Sequence, residues 1–384
     1  MKHSKTIIVL AYNRPHALNN LFDSLLLLKT NGETVNLVIS IDNQGTDEVN
    51  CLAKNFEWPF GKKKIIIHEK RLGLKAHFMF SGDVTEEYGN VIFLEDDLIV
   101  SPYMLDFCDA YLNNYMDDDR IAGASLYNPI LKEGTGCKYY QIDDGADVYF
   151  LQQPYWGNIW TKAKWSLFRE WYKTYKLNNA ILPKHVVTWK DSSFKKVFIQ
   201  YLIEADRYFV TPRISLLTNN GETGLHNTIA KYQYQCNMMM GHKQYAMPSM
   251  DDSKSLYDAF FEIKPEILKK ENPELADFDF YVDIYKQKLL DLNASYCLTT
   301  RECTNPAIEY NCQMKPIELA TMIGAKGKGL YLVKPQNILN KEYNRGFLLF
   351  EDMISNYMVD FKAATLLMKM KIMEKVKYLT NGKN

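Results

Sequence analysis

The residues best equipped for chemistry are three adjacent carboxylates, Glu95-Asp96-Asp97, which directly follow the apolar run Val91 to Leu94. Three negative charges at the end of a strand repel one another, and each favours the protonated form of the next unless a cation sits among them. A hard divalent ion such as Mg²⁺ or Mn²⁺ relieves that repulsion, takes oxygen ligands, and is often held by one or two carboxylates while bridging phosphate oxygens. The rival reading is a solvated acidic turn, since carboxylates mostly sit exposed. A second candidate is aromatic. Tyr149 to Phe168 reads YFLQQPYWGNIWTKAKWSLF. Trp156, Gly157 and Trp160 suit either core packing or a sugar floor, because aromatic faces pack against apolar sugar faces and glycine lets backbone come close. The acidic clusters Asp117 to Asp119 and Asp143-Asp144 with Asp147 read as solvated loops. Ile323 to Gly329 (IGAKGKG) lacks the Lys-Ser/Thr ending of a phosphate loop and reads as a connector.

The elements that must position these residues alternate strand and helix patterns over the first hundred residues, the mark of an α/β layer architecture with largely parallel strands. Thr6 to Leu10, Val35 to Ile41 and Val91 to Leu94 are short β-branched or aromatic runs that predict buried strands, and Lys64 to His68 predicts a weaker fourth. Pro15 to Lys29 carries leucines at helical spacing behind a first-turn proline, and Asn31-Gly32 ends it. Leu74 to Tyr88 predicts another helix. Ligands of open α/β sheets bind at the carboxyl ends of the strands. Chemistry is therefore expected in the loops Ala11 to Pro15, Asp42 to Glu48, Glu69 to Lys75 and Glu95 to Asp97. After about residue 240 the pattern reads as helical and lysine-rich, with loops at Glu271-Asn272-Pro273 and Ile323 to Gly329. The expected division is a catalytic domain over 1–240 and a mainly helical region over 241–384. Within Tyr357 to Leu379, the residues Phe361, Ala364, Met368, Ile372, Val376 and Leu379 form one apolar helix face opposite lysines. That helix either packs on the main domain or lies on an anionic membrane surface.

Composition narrows the classes. With 384 residues, 47% hydrophobic and 24% charged, the chain has globular proportions and room for a large core. Its 46 basic and 46 acidic residues cancel, which removes the positive field of a protein that grips a nucleic-acid backbone. No stretch approaches the roughly 18 apolar residues of a membrane span, and MKHSKTIIVL turns polar too quickly for a signal peptide, so the chain reads as cytoplasmic. Seven scattered cysteines without a CxxC pair indicate neither zinc nor a disulfide framework and fit a reducing compartment.

In this layout the chain resembles the GT-A fold of nucleotide-sugar glycosyltransferases, in which a DxD-type acidic motif ends a central strand and EDD is a variant. More narrowly it resembles the N-acetylglucosaminyltransferase I-like group and related bacterial family 2 enzymes. The matching pieces are VLAYNRP, SIDN, RLGLK, FLEDDLIVSP, WGNIWTKAKW and PRISLLTNNGETGLHNT, in the family's order over roughly residues 5 to 230. The resemblance implies a mixed, mainly parallel sheet flanked by helices. It also implies that Tyr12, Asn13 and Arg14 line the nucleoside pocket and that Asp42 accepts a hydrogen bond from base or ribose. Asp97 would be the metal ligand, Asp96 would face the ribose, and Glu95 the nucleotide or donor sugar. Arg71 and Lys75, which flank a glycine, would neutralise the diphosphate as it leaves or else be surface cations. Trp156 and Gly157 fall at the donor or acceptor sugar. His226, after a glycine-rich turn, would ligate the metal or touch the diphosphate.

Inverting transfer needs a general base at the acceptor hydroxyl. Relatives carry an aspartate close after a tryptophan, so Asp191 in Trp189-Lys190-Asp191 is the expected base. The inserted Lys190 departs from their WD or WDD pattern and leaves Glu204 and Asp206 as alternatives, while Asp191 also reads as a helix cap. The expected activity is a metal-dependent, inverting hexosyl- or N-acetylhexosaminyltransferase. Its donor would be a nucleoside diphosphate sugar, a UDP-sugar such as UDP-GlcNAc first. Its acceptor would be a saccharide or a lipid-linked glycan of bacterial surface polysaccharide. The rival is a glycan- or sugar-nucleotide-binding protein that kept the fold without turnover. A sugar-phosphate nucleotidyltransferase would carry glycines after the first strand, where this chain has AYNRP.

Overall fold

The computed structural model describes residues 3–42, 44–221, 234–339 and 360–381. The chain opens with β1 (Lys5–Ala11), α1 (Pro15–Leu25), β2 (Val35–Ile41), α2 (Asp47–Asn55), β3 (Lys63–Ile67), α3 (Gly73–Asp83), α4 (Thr85–Tyr88) and β4 (Asn90–Glu95). It continues with β5 (Leu98–Val100), α5 (Met104–Tyr115), β6 (Ile121–Ser125), β7 (Val148–Leu151), β8 (Asn158–Thr161) and α6 (Lys162–Tyr172). Next come α7 (Lys184–Val187), α8 (Phe194–Glu204), β9 (Tyr208–Pro212), β10 (Leu217–Asn219) and β11 (Leu256–Tyr257). The main sheet has nine strands in the order β11-β7-β9-β6-β8-β4-β1-β2-β3. β4, β1, β2 and β3 run parallel to one another, as do the pairs β6/β9 and β7/β11, while β8 is antiparallel to both its neighbours. A mixed, mainly parallel sheet flanked by helices is thus the architecture.

Side chains of β1 alternate between two cores, as the two-residue period of a strand requires. Ile7 and Val9 pack with Leu18, Leu21 and Phe22 of α1 and with α5. Ile8 and Leu10 face the other core, formed by Trp165 and Phe168 of α6 and Phe194 to Leu202 of α8. Burial on both faces explains why β1 and β2 read as unbroken apolar runs. Lys5, at the start of β1, is 1% exposed, and its ammonium is paired with Glu33 at 2.7 Å and with Asp109.

The second half differs from expectation. Instead of a mainly helical region, the described residues after 240 build strands. β11 joins the main sheet beside β7. α9 (Pro265–Glu271), β12 (Phe280–Asp283), β13 (Tyr296–Thr299), β14 (Ile308–Asn311), α10 (Leu319–Met322) and β15 (Gly329–Val333) follow, with the four strands forming a sheet ordered β12-β13-β15-β14. These strands are four or five residues long, too short for a two-residue alternation to stand out in the sequence. The core of this sheet, including Val282, Leu298, Tyr310 and Leu332, is continuous with that of the main sheet. The last described helix, α11 (Phe361–Asn381), exposes Leu366, Leu367, Met368, Met370, Ile372 and Met373. Its apolar residues are therefore not confined to the face of Met368 and Ile372, and those side chains do not pack on the main domain. No helix among the described residues is long and apolar enough to cross a membrane. Of the acidic clusters expected to be solvated, the Asp144 side chain is only 6% exposed and binds Arg213 at 2.8 Å.

Candidate active site

The parallel register of β1 and β4 sets Leu10 beside Glu95, so the loop after β1 and the acidic motif emerge side by side at the carboxyl end of the sheet. Arg14, just before α1, forks across that gap. Its Nη1 donates to Asp97 Oδ2 at 2.7 Å and its Nη2 donates to Asp96 Oδ1. Burial lifts Asp96 to about 6, with Arg14 pulling it back towards the charged form. Glu95 is lifted further, to about 8, by burial and then by the charge of Asp97. Asp97 Oδ1 is buried and has no hydrogen-bond partner among the described residues. No group of three or more His, Cys, Asp or Glu able to hold a metal occurs among the described residues. The donor set is therefore one carboxylate with an unused oxygen, which fits an ion that fills most of its coordination with substrate oxygens and water. The Asn220 N–H donates to the Asp97 carbonyl at 2.9 Å, where β10 runs antiparallel to β5. His226 lies outside the described residues.

Around this centre the expected nucleoside residues take distinct places. The Arg71 guanidinium lies 5.6 Å from the Tyr12 ring centroid, and Asn13 is exposed. Asp42, 6% exposed, accepts the backbone N–H groups of Leu72 at 2.7 Å and Gly73 at 3.1 Å. It thereby pins the RLGLK loop to the end of β2, a role the sequence did not reveal. Lys75 leans over the Tyr172 and Tyr175 rings, 5.5 and 5.8 Å from their centroids, rather than towards the acidic motif.

Beside Glu95 opens a cavity of about 510 Å³. Its aromatic wall includes Phe93, Tyr127, Tyr155, Trp156 and Tyr234, and Gly157 and Asn158 complete one side. Gly157 has φ +67°, and a Cβ there would stand 2.2 Å from Leu217 Cδ2, so only glycine lets this turn close against β10. Trp160, by contrast, is wholly buried among Phe93, Trp165 and Phe198, and belongs to the core. Motif and aromatic turn are thus brought together by the pairing of β4 with β8, which sets Phe93 opposite Asn158.

The three candidate bases are not in that cavity. Asp191 has a side chain 78% exposed and accepts from the buried Lys196 Nζ at 3.0 Å. Glu204 binds Trp171 and Gln200 at 3.0 and 2.8 Å, and Asp206 binds Gln152 and Tyr208 at 3.0 and 2.9 Å, so both tie down the corner between α8 and β9. Sequence reasoning missed Glu133, Tyr155 and Lys195, which do line the cavity. Tyr155 adjoins Trp156 and was within reach of the aromatic argument. Glu133, a lone carboxylate in Leu131 to Gly136, gave no signal at all.

No protein-family model matches the chain, and no curated protein sequence matches it. Similar solved structures include S. aureus TarS 1-349, 12% identical with a TM-score of 0.37 over 56% of this chain and 60% of that one. In complex with UDP-GlcNAc, the same protein is 13% identical with a TM-score of 0.39, over 60% and 62% of the two chains. The mannosyltransferase PcManGT from Pyrobaculum calidifontis, in complex with GDP-Man and Mn²⁺, is 11% identical with a TM-score of 0.32, over 42% and 46%. The overlap thus spans less than two thirds of each of these chains.

Proposed function

We propose that the protein is an enzyme that transfers a sugar from a nucleoside diphosphate donor to a saccharide or lipid-linked acceptor, with inversion at the anomeric carbon. The observation that carries this reading is the junction at Glu95. On one side lies a cation-ready acidic group with an unused Asp97 oxygen, and on the other an aromatic cavity of about 510 Å³, large enough for a hexose. Tyr12, Asn13 and Arg71, in the loops after β1 and β3, are the residues this reading assigns to the base and diphosphate of the nucleotide. Asp42 keeps the Arg71 loop in place. Trp156 lines the cavity beside Gly157, whose turn closes against β10, and would pack against the sugar. Arg14 bridges Asp96 and Asp97 through its two terminal guanidinium nitrogens.

Asp97, with His226 by resemblance, would be the protein's ligand to Mn²⁺ or Mg²⁺. Such an ion would neutralise charge on the departing diphosphate. By resemblance a UDP-sugar is the first donor to test, with UDP-GlcNAc leading, and bacterial surface polysaccharide is the setting. The exposed apolar side chains of α11, set among lysines, support peripheral contact with an anionic membrane that would present a lipid-linked acceptor.

The test is thermal stabilisation by UDP, GDP, CDP and dTDP, each with and without Mn²⁺. A ligand at about 100 times its dissociation constant adds about 2.7 kcal/mol. One nucleotide should raise the melting temperature, and more so with Mn²⁺. If none stabilises the folded protein, the reading fails.

A further inference from the structure

Resting on the transferase reading above, we infer that Glu133, not Asp191, is the catalytic base that takes the acceptor's proton, and that Lys195 is its positioning residue. Among the residues that line the cavity, the carboxylates are Glu95 and Glu133. Glu95 belongs to the donor end, because it is continuous with Asp96 and Asp97. Glu133 comes from the loop between β6 and β7, and its side chain is 31% exposed, which gives a captured proton a path to water.

The loop is firmly built. Lys132 and Gly136 close it through the bonds Lys132 N–H to Cys137 O at 2.8 Å and Gly136 N–H to Lys132 O at 2.7 Å. A Cβ at Gly134 would stand 2.2 Å from Gln287 Oε1 and 2.7 Å from His185 Nδ1, so the turn is pressed against α7 and against the region before β13. Lys195, at the start of α8, donates to Glu133 Oε2 at 2.5 Å while its Nζ lies 4.0 Å from the Tyr155 ring centroid. The ammonium also acts electrostatically on Glu95, so it stands within reach of both cavity carboxylates. Glu133 Oε1 has no hydrogen-bond partner among the described residues. One oxygen is thus clamped and the other is free to receive a proton, the arrangement a positioned base needs. Asp191 has the opposite character, being exposed, bound to Lys196 and outside the cavity.

The step balances as a single displacement. The acceptor hydroxyl oxygen forms a bond to the anomeric carbon while its proton passes to Glu133 Oε1. The anomeric bond to the diphosphate oxygen breaks, and the nucleoside diphosphate leaves with the electron pair. Water then removes the proton from Glu133. Water itself can serve as acceptor, which gives an assay that needs no identified saccharide.

The experiment measures nucleoside diphosphate release from a panel of UDP-, GDP-, CDP- and dTDP-linked hexoses and N-acetylhexosamines, in wild type and variants, alongside nucleotide binding as a check of the fold. Glu133→Gln should lower kcat on the order of 100-fold while nucleotide binding stays within about threefold. Asp191→Asn should leave both unchanged. Lys195→Met should lower kcat with donor KM unaltered, and Lys195→Arg should restore most of it, a split that a merely structural role would not give. Wild-type kcat in Glu133→Gln, or a loss confined to Asp191→Asn, would overturn the assignment. Loss of nucleotide binding in Glu133→Gln would also overturn it, by making the residue structural. Absence of release by the wild type from every donor would instead sink the transferase reading beneath it.

Discussion

Arg14 bears the most electrostatic weight of any single residue at the site. It neutralises two acids whose side chains are 5% and 18% exposed, and removing one partner of a buried pair typically costs about 3 kcal/mol or more. Arg14→Met should therefore lower the melting temperature of the metal-free protein, and Mn²⁺ should recover more stability in the variant than in wild type. Equal effects of Mn²⁺ in both, measured by calorimetry, would mean that Arg14 and a cation do not share the same acids.

A second residue-level consequence concerns pH. Ser40 Oγ lies 2.9 Å from His68 Nε2 and 2.7 Å from His77 Nε2, and burial lowers His77 to about 4, with Asp42 only partly opposing. Because the unfolded chain binds this proton more readily, stability is fully present above about pH 6.5 and is lost as pH falls towards 4, by about 2 kcal/mol at pH 5. His77→Gln should lose less melting temperature between pH 7 and 5 than wild type does. At this scale the acidic motif was legible, because three carboxylates after a β-branched run have few explanations. Arg14's partners and Glu133 were not, since a chain of letters does not say which cation reaches which acid.

The elements show why. β1, β2 and β4 were readable to within a residue or so because strands buried on both faces need continuous apolar runs. The placement of β8 beside β4 was not readable. Yet that antiparallel pairing brings the tryptophan-glycine turn next to Glu95 and creates the cavity. Gly157 is the element-scale test. Gly157→Ala forces a Cβ to within 2.2 Å of Leu217 and 2.9 Å of Leu126 at a φ of +67°, so the turn must move. Strain of this kind costs about 1–3 kcal/mol. The variant should melt several degrees lower and lose sugar transfer through a displaced Trp156. Free nucleotide, which the proposed function assigns to the motif, should still bind in a titration.

Over the whole molecule, the four- and five-residue strands of 280–333 were too short to read, and only tertiary pairing reveals them as a second sheet sharing the main core. The terminal helix was foreseen as a helix but not as one exposed on several sides. If it meets an anionic membrane, the full chain should sediment with phosphatidylglycerol vesicles at low salt and release at high salt, and removal of residues 357–384 should abolish this. Equal sedimentation of both forms would remove the membrane from the account.

On the proposed function, the strand-end acids hold a nucleotide with a divalent cation. Isothermal titration of the nucleoside diphosphate that stabilises the wild type, with and without Mn²⁺ and against Asp97→Ala, measures it directly. The account predicts tight binding that requires Mn²⁺ in the wild type and binding in Asp97→Ala that is weak and indifferent to Mn²⁺. Equal, metal-dependent binding by both proteins would contradict it.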